Sequence, residues 1–351
     1  MKDRAVQDAE DVRVSWAVSL KVEVRRLRQE EKLRTRPLYE EVFSEDSRSF
    51  VDYYYTEKTK DNVIYAAEED GQICGMLHLN PYVLSVNGTE KEVNYIVAVA
   101  TQEAYRRRGY MAALLRRSLR DMYEAGQSFT FLMPAAEGIY LPHDFRTVYE
   151  QEKRYVGVGE ESTFLLQATE ADCAELSEAA NRYLEENYQV FAKRDGAYYR
   201  RLLKEYASDG GSLMLQKADG KIADCKIFMP GDREPEKPKI MVRIVDVQRM
   251  LMSVGVKSLM GVCFCITDPV IEENNRCVVV MGTEYSGVML MDSKQENSEG
   301  TITIAALASF LFGVKSADEI CMEEGVVMSE RMKGEMKKLV PLSRIYLNET
   351  V

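Results

Sequence analysis

Residues 94–125 constrain the fold more than any other stretch of this 351-residue chain. Asn94-Tyr-Ile-Val-Ala-Val-Ala100 is a nearly unbroken apolar run, as a strand buried on both faces requires. Thr101 to Gly109 then forms a short loop carrying three consecutive arginines and a glycine. Beyond it Met111, Leu114, Leu115, Leu119 and Met122 recur at helical spacing, and Gly126 suits the C-terminal cap. A strand that runs through a basic loop into a helix start is suited to anions. The first helical N–H groups have no intrahelical acceptor and carry partial positive charge. Arg106, Arg107 and Arg108 deepen that potential, with Arg116, Arg117 and Arg120 further along the helix. The formal net charge is −11, so this concentration of arginine is local. The residues alone fit a solvated basic helix start equally well.

The flanking sequence places this junction in a mixed α/β (α+β) unit over residues 21 to about 153. A strand is expected at Val24–Leu27, then helices through Leu38–Phe43 and Phe50–Tyr54. Strands follow at Val63–Ala67, Ile73–Leu79 and Tyr82–Val86, with Asp70-Gly71 and Asn87-Gly88 as hairpin turns. A second buried strand, Phe129–Met133, comes after the helix. Residues 154–236 begin the pattern again with a strand, two helices and a hairpin around Asp219-Gly220, and then stop. Pro230 to Pro238 is a linker by composition. The remainder, 237–351, carries strands near Met241–Val247, Val262–Thr267, Cys277–Gly282 and Thr301–Ile304, and a helix over Ala306–Phe312. Residues 1–20 read as a polar extension.

Composition removes several classes of function. A net acidic chain is a poor match for gripping phosphate backbone, so no nucleic-acid partner is expected. Only His78 and His143 are present, too few for a histidine metal site or a Ser-His-Asp hydrolase, and no metal is expected. No apolar stretch approaches the roughly 18 residues of a membrane helix. Seven cysteines without CxxC spacing read as buried thiols, and the N-terminus shows no secretory apolar region, so a cytoplasmic protein is expected. There is no GxxxxGK[ST] loop, and Gly157-Val-Gly159 lacks the third glycine of a dinucleotide fingerprint.

Arg106-x-x-Gly109-x-Met111, between strand and helix, resembles the Q/R-x-x-G-x-G/A signature of GNAT-superfamily N-acetyltransferases, with Met111 departing from the usual Gly or Ala. Together with Glu137-Gly-Ile-Tyr140 and the three-part chain, it is similar to the Eis (enhanced intracellular survival) family. That resemblance implies a GNAT domain at 21–153, a degenerate GNAT-like region at 154–236 and a sterol-carrier-protein-like domain at 237–351. It implies acetyl-CoA as co-substrate, its pyrophosphate at Arg106, Arg107, Arg108, Gly109, Tyr110 and Met111, and its pantetheine arm along Val97, Ala98 and Val99. It also implies a homo-oligomer, hexameric in the family.

The implied chemistry is acetyl transfer to a primary amine of a polyamine, aminoglycoside or lysine-type acceptor. Tyr140 matches the family's general acid, and a phenol of ordinary pKa about 10 is protonated at neutral pH and suited to a thiolate leaving group. The C-terminal carboxylate of Val351 is the implied base, with Glu349, Glu137 and His143 as alternatives. His78 reads as structural. Glu41, Asp46 and Asp52 fall on helices that wall the acceptor side of such a fold, among Tyr39, Phe43, Tyr53, Tyr54 and Tyr55. A non-catalytic acetyl-CoA-binding or lipid-carrying assembly protein is the competing reading.

Overall fold

The computed structural model describes residues 23–156, 165–230 and 237–349. The expected extension, Gly157-Val-Gly159 and Val351 lie outside the described residues. The first unit runs β1 (Glu23–Arg26), α1 (Arg36–Val42), α2 (Arg48–Glu57), β2 (Val63–Glu69), β3 (Gln72–Val86), β4 (Thr89–Thr101), α3 (Tyr110–Glu124), β5 (Phe129–Leu132), α4 (Glu137–Tyr140) and β6 (Arg146–Glu150). Next come β7 (Leu165–Gln167), α5 (Cys173–Asn187), β8 (Val190–Ala192), α6 (Gly196–Ser208), β9 (Ser212–Ala218) and β10 (Lys221–Phe228). The last part holds β11 (Lys239–Ile244), α7 (Val247–Leu251), β12 (Gly255–Val256), β13 (Met260–Thr267), β14 (Cys277–Thr283), β15 (Gly287–Ser293) and β16 (Gly300–Thr303). It ends with α8 (Ile304–Leu311), α9 (Ala317–Ile320), β17 (Val327–Met328), α10 (Glu330–Met336), β18 (Leu339–Val340) and β19 (Ile345–Tyr346).

The central sheet has the order β1-β2-β3-β4-β5-β11-β6, with β8 beside the far end of β3 and β19 beside β8. The apolar stripe of α3, including Leu114, Leu115, Leu119 and Met122, packs on Leu77, Leu79, Ile96 and Leu132 of one sheet face. Residues of α1, α2, α7 and α8 cover the other face, around Tyr95, Val97, Phe129 and Phe131. A three-stranded sheet, β10-β9-β7, shares a separate core with α5 and α6. A five-stranded sheet, β15-β14-β13-β16-β17, completes the C-terminal part. No helix among the described residues is long and apolar enough to cross a membrane.

Three features differ from the sequence reading. The strands expected at Ile73–Leu79 and Tyr82–Val86 are one strand, β3, running through Pro81. Pairing with β2 ends at Leu79 and pairing with β8 starts at Leu84, so the missing N–H of Pro81 takes no ladder bond from that side. The strand expected to open the C-terminal segment, β11, is hydrogen-bonded between β5 and β6 in the first sheet. Cys265 and Cys277, read as thiols, oppose each other across β13 and β14 and form a disulfide. Sequence spacing says nothing of which strands become neighbours, and this pair depends on that.

Candidate active site

The helix start is built by backbone conformations that few residues tolerate. Gly109 caps α3 with φ +82° and Arg107 takes φ +62°. Glycine has no Cβ to be penalised at positive φ, so Gly109 suits this turn without strain. Arg106 donates from Nε to the Thr101 carbonyl at 3.3 Å, and the Arg108 guanidinium lies 5.1 Å over the Tyr105 ring. Arg106, Arg107 and Arg108 are exposed, and none pairs with a carboxylate among the described residues. By contrast Arg117 is paired with Asp121, and Arg120 with Glu124 and Glu273. The loop arginines thus differ from Arg117 and Arg120, whose charges are compensated on the helix. Tyr110, expected at the pyrophosphate, donates its hydroxyl to the Glu69 carboxylate. Its backbone N–H remains at the helix start, as does that of Met111.

Beside this loop the sheet opens. β4 and β5 pair in parallel only at Tyr95–Phe131 and Ile96–Leu132; β4 then continues to Thr101 while β5 stops. From Val97 onward one edge of β4 has no strand neighbour among the described residues. Over the same residues, on the opposite edge of β4, the β3–β4 register slips between Met76 opposite Ala100 and His78 opposite Val97. Ala98 takes φ +49° there. The extra residue is a β-bulge, which re-aims backbone N–H and C=O groups out of the ladder. Val97, Ala98 and Val99 thus sit together at the opening, Val97 and Ala98 in the core of one face and Val99 packed against that of the other.

Tyr140 closes the short helix α4 on the α3 side of the sheet, in the cluster that holds Ile96, Leu132 and Tyr110, with Val99 and Met111 packed against it. Its ring meets Phe145 edge-on at 5.8 Å, and its hydroxyl makes no hydrogen bond among the described residues. Burial pushes the phenol up to about 12. The other candidates divide. Glu137 is bound to Lys239 at 2.7 Å and to the Thr147 hydroxyl, and those bonds hold its carboxyl below the usual range. His143 is driven down to about 4 by burial and by the Arg243 and Arg116 charges. Glu41 is exposed, Asp52 is paired with Arg36, and Asp46 accepts from the Tyr39 hydroxyl at 2.8 Å. Tyr39, Tyr53, Tyr54 and Tyr55 are buried.

The chain end runs inward. β19 lies parallel to β8, and Leu347 and Glu349 are buried. Arg194 donates to the Glu349 carboxylate at 3.3 Å, and Gln151 donates to the carbonyls of Leu347 and Glu349 at 3.0 Å. Desolvation raises the Glu349 carboxyl above its usual range, with Arg194 opposing.

Sequence reasoning missed a band of buried polar groups on the α2 face of β3 and β4. His78, Asn80 and Tyr82 alternate on β3, and Tyr95 stands opposite Asn80. Tyr82 also lines a cavity of about 480 Å³ with Lys58, Tyr198, Arg201 and Glu205. Lys58 and Glu205 form a buried ion pair at 2.9 Å, joined by the Tyr53 hydroxyl. The sequence signal for the band was present: His-x-Asn-x-Tyr at strand spacing, with Leu77 and Leu79 on the opposite, apolar face. Among the described residues no group of His, Cys, Asp or Glu is placed to hold a metal ion.

Residues 23–148 match the family model described as the acetyltransferase (GNAT) domain, so the chain carries a domain of that class. Solved structures extend the likeness to the rest. A probable N-acyltransferase from Enterococcus faecalis V583 superposes with a TM-score of 0.72 at 14% identity, over 93% of this chain and 100% of that one. A GCN5-related N-acetyltransferase from Anabaena variabilis gives 0.71 at 12%, over 92% and 99%. Eis1 from Mycobacterium abscessus gives 0.67 at 12%, over 94% and 100%. At these identities the likeness is one of fold. No curated protein matches the chain.

Proposed function

We propose that the protein transfers the acetyl group of acetyl-CoA to a primary amine, as an Eis-like enzyme. Its parts are a catalytic GNAT domain at 21–153, a degenerate GNAT-like region at 154–236 and a sterol-carrier-protein-like segment at 237–351. The observation that carries this reading is the splay of β4 from β5 beside the glycine-started helix α3. The donor set fits acetyl-CoA. Backbone N–H groups at Gly109, Tyr110 and Met111, with Arg106, Arg107 and Arg108, suit a pyrophosphate. The free β4 edge at Val97, Ala98 and Val99 suits the amides of an extended pantetheine arm.

The thioester supplies an activated acyl carbon and a leaving thiolate. Backbone N–H groups at the Ala98–Val99 bulge hold the carbonyl oxygen as negative charge develops. The C–N bond forms as the C–S bond breaks, and the Tyr140 phenol gives its proton to the departing sulfur. The proton lost by the nitrogen passes to a base. The Val351 carboxylate is that base in this reading, supported by the inward, buried course of Ile345–Glu349. The acceptor class is a polyamine, aminoglycoside or lysine-type amine, which the net charge of −11 attracts by steering. The enzyme works in the cytoplasm as a homo-oligomer, a hexamer by family resemblance.

Thiol release from acetyl-CoA against a panel of such amines tests the reading. Turnover of at least one amine is expected, and silence across the panel would reject it. Residues appended after Val351 should abolish turnover and leave acetyl-CoA binding intact; normal turnover would remove the terminus from the mechanism.

A further inference from the structure

His78 on β3 pairs with Val97, the first β4 residue beyond the last β4–β5 pair, so it stands one strand away from the splay. It is fully buried, with its ring stacked on Tyr54 and its Nδ1 hydrogen-bonded to the Tyr54 hydroxyl at 2.9 Å. Its Nε2 has no partner. The same face holds both amide atoms of Asn80 and the hydroxyl of Tyr95, all buried and all without a partner. Each such group costs about 1–3 kcal/mol when left unsatisfied. Four together on adjacent strands, next to a bulge, leave hydrogen-bonding capacity that a polar guest would satisfy.

The chemistry of that guest follows from the lining. His78, Asn80, Tyr95 and Tyr54 are all uncharged hydrogen-bonding groups. Burial, with the Lys32 charge nearby, drives the His78 imidazole down to about 3, so it stays neutral. The nearest acids in the band are committed elsewhere, Glu205 to Lys58 and Glu349 to Arg194. A neutral lining in a desolvated place disfavours an ammonium and accepts a free amine. A free amine is also the form that attacks a thioester.

Resting on the acetyltransferase reading above, we propose that His78 receives the acceptor nitrogen: Nε2 accepts a hydrogen bond from the amine N–H and turns its lone pair toward the acyl carbon at the β4 bulge. The proposal requires the tautomer in which Nδ1–H donates to the Tyr54 hydroxyl, which fixes the ring and leaves the Nε2 lone pair free. Asn80 and Tyr95 hold the substituent next to the nitrogen. In this arrangement His78 is a catalytic residue, and Tyr54 is a positioning residue that acts through it.

The test uses the full chain and whichever panel amine the native protein turns over. His78→Phe should lower kcat by about tenfold or more and raise KM for the amine, with acetyl-CoA affinity unchanged. His78→Gln keeps an acceptor near the Nε2 position and should recover part of the loss, which a merely structural role does not predict. Native kcat and KM in His78→Phe, or no rescue by Gln in folded protein, would overturn the proposal. Should the native protein acetylate no amine, the acetyltransferase reading fails and the His78 nitrogen site is tested by itself. Nitrogen-15 spectra report the two histidines, and the signals lost in His78→Phe identify His78. A saturable shift of its Nε2 signal with methylamine supports the nitrogen site, and a signal indifferent to methylamine, as with ordered water only, overturns it.

Discussion

Burial acts in opposite directions on Tyr140 and His78, and both effects favour the neutral form. The Tyr140 phenol, pushed up to about 12, keeps its proton through the physiological range, as the proposed role of general acid requires. Tyr140→Phe should lower kcat by about 10² or more with acetyl-CoA affinity unchanged; full turnover would reject its role as acid. His78 and His143, with folded values of about 3 and about 4, stay neutral where the unfolded chain, near 6.5, takes up protons. The unfolded state then binds more protons, so stability falls as pH drops from about 6.5 toward those values. Each histidine contributes a slope of up to about 1.4 kcal/mol per pH unit. Denaturation series between about pH 7 and 4 should show a shallower acid loss in His78→Gln than in the native chain. Neither value was legible in the sequence: His78 on its strand reads as structural and His143 as a candidate base until their neighbours are known.

At the level of elements, the strand–loop–helix junction was legible because it is local. Val97–Val99, the arginine loop, Gly109 and α3 all lie within one stretch, and the helix starts where the glycine allows φ +82°. Gly109→Ala should cost about 1–2 kcal/mol by forcing a Cβ into the left-handed region. It should also weaken acetyl-CoA binding, since the helix N–H groups would turn; melting and binding measurements on one variant check both. The bulge at Ala98 was not legible. It arises from the register of β4 against β3, and an alanine there carries no mark of a positive φ. Nor was the continuity of β3, since a proline inside an apolar run ordinarily ends a strand, and only the gap between β2 and β8 admits Pro81.

Across the whole molecule, distant segments are tied by buried charge. Arg243 on β11 is fully buried and bonds to Asp268 at 2.6 Å, to the Ile244 carbonyl at 2.7 Å and to the His143 carbonyl at 3.0 Å. Asp268 is held in turn by Asn274 and by the N–H groups of Val270 and Ile271. Arg243→Met would leave that carboxylate unpaired in the interior and should cost about 3–5 kcal/mol, read from the denaturation midpoint. Loss of less than about 1 kcal/mol would show that the pair is solvated after all. The sequence by itself determined the mixed α/β class, the buried β4 strand, the anion-suited helix start and the tyrosine that follows the second buried strand. These depend on periodicity, turn chemistry and helix termini, which act over a few residues. Only the tertiary structure decided that β11 joins the first sheet, that Glu349 meets Arg194, and that His78, Asn80 and Tyr95 share one buried face. Those contacts join residues far apart in the chain, and burial and strand register, which give them their chemistry, exist only once the chain has folded.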